Sequence, residues 1–465
     1  MKKAFYIIVS CTFVLICFIS CKKSWLDAKS DKSLLVPTSL EDMQSLLYNT
    51  TYFNTNQPSL GELSSDDYYI LYNKWQTLAT ATQQNAYLWA QDIYVGGTGF
   101  DWNYGYSSVF YSNNILDGLS KIPIDNANQT TWNKIQSSVL FFRSVAFFNL
   151  AQLFAKPYTS NTASLDLGIP LKLSSDINER VSRASVQQTY DRIISDIILA
   201  IPGLPNSPQV NATQPSKPAA YAMLARVYLS MEKYDKALLY ADSCLQIYST
   251  LIDYNNYLPP ATPFSFPLYQ PEQIIYGEGY GYTSIFSNSS PTWVVDSTLF
   301  QSYSANDLRR SLFFVSVNGF IAFKGSYTRS VRPYTGIATD EVYLIRAECN
   351  ARLGNTANAM ADLNTLLRKR WKKDPITGLS LYVDQTATDA NDALSKILIE
   401  RRKELIHRGL RWTDLRRLNK DPRFAITLTR ILNGQTYTLS PNDPKYVLPI
   451  PDDEINLTGI QQNPR

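Results

Sequence analysis

Histidine is all but missing from this chain: of 465 residues only His407 is one. That absence removes multi-histidine zinc sites and makes any Ser-His-Asp triad depend on a single residue. His407 ends a charged helical stretch, Leu405-Ile406-His407-Arg408-Gly409, where the helix dipole favours a cation, so it reads as a cap and not as a base. Cysteine is scarce too. Cys11 and Cys17 fall in an apolar N-terminal run, and Cys244 and Cys349 lie inside helical patterns, so no disulfide framework is implied. No excess of one charge sign draws the chain to nucleic acid or an anionic surface, since 44 basic side chains face 40 acidic ones. Nucleotide loops are missing as well. Gly96-Gly97-Thr98-Gly99 lacks the Gly-Lys-Ser/Thr ending of a phosphate cradle, and no helix signal opens straight after Gly277-Glu278-Gly279-Tyr280-Gly281-Tyr282.

The apolar run from Phe5 to Ile19 is short of the ~20 residues a membrane helix needs. It follows Met1-Lys2-Lys3 and precedes the small Ser20, the layout of a secretory signal over residues 1–20. Phe18-Ile19-Ser20-Cys21 resembles a lipobox, which implies lipidation at Cys21 and attachment to a membrane by acyl chains. Ordinary secretion, with Cys21 incidental, is the alternative reading.

What the chain does have is aromatic side chains: 31 Tyr, 20 Phe and 8 Trp. Rings with a polar tip suit surfaces that must be both wet and adhesive. Length allows two or three domains and a large core. Helical spacing runs over 132–155, with Arg143 inside and Pro157 as stop, and over 186–201, where Tyr190, Ile193, Ile194, Ile197 and Ile198 recur. From Ala219 to Tyr248 the pattern is two antiparallel helices turning near Glu232-Lys233. The spacing Tyr221, Leu224, Ala225, Tyr228, Ala237, Ala241, Cys244 resembles a tetratricopeptide repeat. A second copy starts near Asp340 with Tyr343, Arg346, Ala347, Asn350, Ala359, Leu363 and Leu366, and Gly354-Asn355 supplies its turn. The long segment between the copies argues against a simple solenoid. Two unrelated hairpins remain the plainer alternative.

Near the C-terminus, Ile399-Glu400-Arg401-Arg402-Lys403-Glu404-Leu405 continues through Arg408-Gly409-Leu410-Arg411-Trp412-Thr413-Asp414-Leu415-Arg416-Arg417, and the chain closes with Tyr446 to Pro451 and Gln461-Gln462-Asn463-Pro464. This set resembles the signature of the SusD/RagB family of surface lipoproteins. Cys21 followed by Trp25-Leu26-Asp27, Trp102 to Asn114, Arg143 to Pro170, Tyr190 to Pro205 and Asp340 to Gly354 extend the likeness over essentially the whole mature chain. The resemblance implies a mainly α, SusD-like fold. Tetratricopeptide-like hairpins form a scaffold (about 132–248 and 338–420), and an irregular, loop-rich aromatic region (about 50–115 and 249–335) packs against it. Residues 21–465 then make a single domain. It further implies an outer-membrane, cell-surface protein that is not an enzyme and needs no cofactor or metal. Such a protein captures an oligosaccharide or polysaccharide and passes it to a TonB-dependent, SusC-like transporter. Capture of a non-sugar nutrient such as peptides, or pure scaffolding, stays open beside it.

Glu400 and Glu404 share a helix face among Arg401, Arg411, Arg416 and Arg417, which reads as an ion-pair and cap network joining helices. Two carboxylates so flanked would both be held ionised, whereas glycoside hydrolysis needs one kept protonated. A sugar offers an apolar face and a rim of hydroxyls, so its site wants aromatics and polar groups on loops. Two segments qualify, and they supply the candidates Asp67, Tyr69, Trp75 and Trp89, and Tyr280, Tyr282 and Trp293. Trp102 reads as core.

Overall fold

The computed structural model describes residues 37–261, 263–282 and 291–465. The signal at 1–20, the lipidation call on Cys21 and Trp25-Leu26-Asp27 lie outside the described residues.

Among the described residues, nine of the helices form the scaffold. Phe100–Leu119 (α1) and Gln129–Phe154 (α2) lie against each other, and α2 is capped at Ala155, two residues before Pro157. By length and composition α2 could cross a membrane, but 83% of its most apolar window is buried, which makes it a core helix. Val186–Ala200 (α3) starts on a reciprocal cap between Ser185 and Gln188 and buries Tyr190, Ile193 and Ile197; Ile198 faces solvent. Lys217–Ser230 (α4) and Tyr234–Ile247 (α5) turn at Glu232, whose φ is +58°. Thr339–Arg352 (α6) and Thr356–Arg368 (α7) turn at Gly354 with φ +85°, a backbone shape glycine adopts freely. Ala225, Ala237, Ala347 and Ala359 are all fully buried, so each hairpin closes on a small pair. Ala390–Glu404 (α8) and Arg411–Leu418 (α9) follow.

Each helix from α1 to α6 packs on the next, and α6 then takes both α7 and α8. Residues 248–338 leave the stack between α5 and α6, yet α5 and α6 touch directly. The chain therefore exits the stack and returns to the same place, an excursion that a simple solenoid lacks. Strands are short antiparallel pairs. Tyr68–Ile70 pairs with Trp293–Val295, and Asn318-Gly319 and Asn433-Gly434, all at positive φ, turn two hairpins. One apolar cluster runs from Met43 to Ile460, and a second lies under α6, α7 and α8. Cys244 and Cys349 are buried free thiols.

The charged C-terminal motif clamps this structure. Arg309, fully buried, reaches Asp307, Glu400 and Glu404 at 2.7, 2.5 and 2.9 Å. Arg417 grips Glu348 with both ends of its fork (2.5 and 2.8 Å) and Asp414 with Nε (2.8 Å). Arg411 takes Asp66 the same way, and Arg402 Nε takes Asp67 at 2.8 Å, tying the N-terminal loops to α8 and α9. Arg416 makes no ion pair among the described residues and instead caps a helix, donating to Ala155 O at the end of α2. His407 has φ +60° and lies past the end of α8. Its ring is buried against Tyr68 and Phe323, with Nε2 3.2 Å from Val331 O. It is a packed side chain and not a dipole cap.

Candidate ligand-binding face

Both candidate segments meet, since Ile70 pairs with Trp293 and Tyr69 with Val294. The meeting buries much of what was expected to face out. Trp293 is 2% exposed and edges onto Tyr68 and Tyr87, with centroids 6.1 and 5.4 Å away. Trp89 is also 2% exposed, and its Nε1 donates to Ser64 O at 3.0 Å. Asp67 is buried against Arg402; burial is the largest influence on its carboxyl and pushes it up, with Asp66 adding to the rise. Tyr282 is buried with its hydroxyl on Asp101. These four side chains show no face to solvent, so placing them at a sugar surface is corrected. The reason is physical: a flat ring gains more from a dry, edge-packed pocket than from half-exposure. Trp102, 2% exposed, is core as expected.

Three candidates do reach the surface. Tyr69 points outward between buried Tyr68 and Ile70, as strand alternation requires, and lines a groove of about 600 Å³ with Asp66, Asp296 and Arg402. Trp75 is half-buried, stacked on Tyr72 at 6.1 Å and anchored through Nε1 to Gln84 O. Tyr280 is half-buried and has the richest surroundings.

The Tyr280 ring is stacked on Phe100 (5.0 Å between centroids, 20° between planes) and tilted against Tyr104 (5.3 Å, 31°). Phe100 and Tyr104 stand one turn apart at the start of α1, so they share a helix face. The first glycine cluster delivers the chain to this point. A Cβ on Gly99 would run into Pro451, so only glycine lets the loop pass. The second cluster holds Tyr280 from the other side. Gln57 N donates to Glu278 O, Tyr280 N donates to Gln57 O and Gly279 N donates to Pro333 O, at 2.8–3.0 Å. Beneath the stack Asp101 accepts from Ser59 N, Leu60 N and the Tyr282 hydroxyl, while burial, the dominant effect, raises its carboxyl. Glu278 and Arg332, 2.8 Å apart, provide charged groups at the edge. The result is a tilted aromatic platform, with Phe100 36% exposed, beside hydroxyl and charged groups. Such a surface can take the C–H face of a sugar ring and donate to its rim. Phe100 and Tyr104 were missed in the sequence. The available signal was a pair at i and i+4 directly after a glycine-rich loop.

One group among the described residues has the spacing of metal ligands: Glu272, Asp340 and Glu404, with oxygens within 4.8 Å of one another. All three already pair with buried arginines, Arg370 or Arg408. Those arginines already engage all three carboxylates from within the protein.

Comparison with known proteins places this architecture among SusD-like proteins. A family described as "Starch-binding associating with outer membrane" matches residues 24–229, and one described as "SusD family" matches residues 338–465. The chain belongs to the SusD/RagB family. A SusD superfamily protein from Bacteroides thetaiotaomicron superposes with a TM-score of 0.72 at 24% identity, covering 92% of this chain and 100% of that one. A SusD-like carbohydrate binding protein from Bacteroides vulgatus gives 0.70 at 18% identity (91% and 97%), and a laminarin binding SusD-like protein 0.65 at 18% (92% and 99%). These likenesses establish the mainly helical SusD-like fold. No curated protein matches the sequence.

Proposed function

We propose that this protein captures oligosaccharides at the cell surface, held to the outer membrane by a lipid on Cys21, and passes them to a TonB-dependent, SusC-like transporter. The single observation carrying the binding step is the Phe100–Tyr104–Tyr280 stack on the surface of a SusD-type scaffold. The carbohydrate and laminarin binding of two fold relatives supports the choice of a glycan. Binding happens without chemistry: Glu400 and Glu404, the paired carboxylates of the motif, are committed to Arg309.

The test is a glycan panel that includes laminarin and starch, run by affinity electrophoresis and calorimetry on residues 22–465. Saturable binding to one polysaccharide class, weakened by Tyr280→Ala and by Phe100→Ala, is expected. Silence across the panel, or full binding by both variants, would sink the reading.

A further inference from the structure

Helix α1 carries six aromatic side chains, and they divide into two sets. Trp102, Tyr106 and Tyr111 join or pack against the main apolar cluster, whereas Phe100, Tyr104 and Phe110 belong to neither cluster. Phe100 and Tyr104 are accounted for by the Tyr280 platform. Phe110 is not. It is half-buried, edges onto Tyr111 with centroids 5.4 Å apart, and lines a groove of about 380 Å³. That volume falls within the range of small-ligand sites.

One wall of the groove is α1 itself, through Asn103, Ser107 and Phe110; the segment with Lys172, Asp176 and Ile177 is another, and Glu454 joins them. That segment is fastened to the helix. Asn113 Nδ2 donates to Lys172 O and Ser174 O at 3.0 and 3.1 Å, and the Tyr106 hydroxyl donates to Pro170 O at 2.8 Å. The groove is therefore formed before anything enters it. Its polar side chains face out: Asn103 is exposed, and Lys172 and Glu454 are half-buried. None of these three is taken up by an ion pair or a side-chain hydrogen bond among the described residues. Phe100, Asn103, Ser107 and Phe110 follow at intervals of three, four and three residues, which sets them in one stripe along α1. Platform and groove are thus neighbours on one helix face. From Phe100 to Phe110 the helix rises ~15 Å.

We propose that the glycan site continues along α1 into this groove, so that the ligand is an oligosaccharide longer than a disaccharide. One sugar unit lies on the Tyr280 platform and another, further along the same chain, lies on Phe110. The inference rests on the capture reading above and adds a length requirement to it. At Phe110 the open ring takes the C–H face of the sugar. The Lys172 ammonium donates, the Glu454 carboxylate accepts and the Asn103 amide does both, which suits hydroxyls that do both as well. Charges of either sign on the walls favour a neutral sugar over an anion, which would meet Glu454 and Asp176, and over a cation, which would meet Lys172.

The test is calorimetry on residues 22–465 with two length series, laminari-oligosaccharides and malto-oligosaccharides, from the disaccharide to the hexasaccharide. In the series that binds, the tetrasaccharide should bind at least ~10-fold tighter than the disaccharide. Phe110→Ala should remove most of that gain and leave the disaccharide within ~2-fold of the parent. Because Phe110 belongs to neither apolar cluster, this variant should fold with nearly the parent's Tm. Phe110→Tyr keeps a flat ring and should keep the gain, whereas Tyr280→Ala should weaken both lengths. A tetrasaccharide no tighter than the disaccharide, Phe110→Ala retaining the gain, or Phe110→Tyr losing it would each overturn the extension while leaving glycan capture standing. Silence of the parent toward every length in both series would overturn the extension together with the capture reading it rests on.

Discussion

Replacing Arg417 with methionine tests whether the C-terminal motif is a structural clamp. Arg417 is 4% exposed and makes two bonds to fully buried Glu348 and one to Asp414. Burial works to raise the Glu348 carboxyl, but Arg417 and then Arg352 outweigh it and hold it at about 2, against an ordinary 4.5. That difference corresponds to about 3 kcal/mol of preference for the ionised form. Because the folded value is depressed, the stability is fully present above pH 4.5 and is lost as pH falls through 2. Breaking a buried pair from one side costs about 3–5 kcal/mol, so Arg417→Met should lose that much at pH 7. At low pH Glu348, left with Arg352 as its partner, takes a proton while the parent protein forfeits its advantage. The gap between variant and parent should then narrow by about 2 kcal/mol at pH 3. Urea unfolding followed by tryptophan fluorescence at pH 7, 5 and 3 measures it. Arg368→Met, from an ion pair whose two side chains are 49% and 47% exposed, is the control and should move stability by less than ~0.5 kcal/mol. A deficit for Arg417→Met that is the same at pH 3 and pH 7 would refute the reasoning.

Other expectations follow from the same contacts. Tyr280→Ala should weaken glycan binding with Tm nearly unchanged, whereas Trp293→Ala should cost about 3–5 kcal/mol of stability in a urea melt, as a buried aromatic does. Gly105→Ala would place a Cβ 2.6 Å from Leu150 Cδ2 where α1 crosses α2, and calorimetry should show a loss of about 1–3 kcal/mol. Around Arg309 and Arg370, five buried carboxylates (Glu272, Asp307, Asp340, Glu400, Glu404) face four cations (Arg309, Arg370, Lys403, Arg408). One proton is left to share, and burial, above all, raises the Glu272 carboxyl. The folded protein then keeps a proton that the unfolded chain releases, so this group's contribution falls as pH rises above the ordinary carboxylate range. Glu272→Gln should flatten that decline in Tm between pH 5 and pH 8.

The parts of the fold legible in the sequence are the local ones. The helix expected over 186–201 occupies 186–200, the one over 132–155 occupies 129–154, and the turn near Glu232-Lys233 is where the chain reverses. Apolar spacing and caps act within a few residues, so one sequence suffices to see them. Which aromatic faces out is set by residues far along the chain. Trp293 is buried where its strand pairs with Ile70, and Phe100, with Tyr280 and Tyr104 beside it, stays half-open. Composition cannot tell those rings apart. Nor can it separate Arg416 from Arg417: adjacent on one helix, they point about 100° apart, so one meets Glu348 and the other a helix end.

Contact between α5 and α6 explains how an irregular region can hold a platform in place. Residues 248–338 begin and end at neighbouring points of a rigid stack, which fixes both ends of the excursion. Near its return, Gln273 pairs with Ala338, and Glu272 O accepts from Thr339 N, the first residue of α6. Arg370 bonds Glu272 and Glu404 together, so the clamp on α8 also grips the base of the strand leading to Tyr280. Seven residues lie between Glu272 and Tyr280, and Gly277 and Gly279 press against Gly336, Pro333 and Ser59 along the way. Little freedom is left in that path. The ring is therefore held in place before any ligand arrives, and binding need not repay the entropy of ordering it. The scaffold and the face work as one device: the buried arginines that stabilise the helices also keep the exposed tyrosine still.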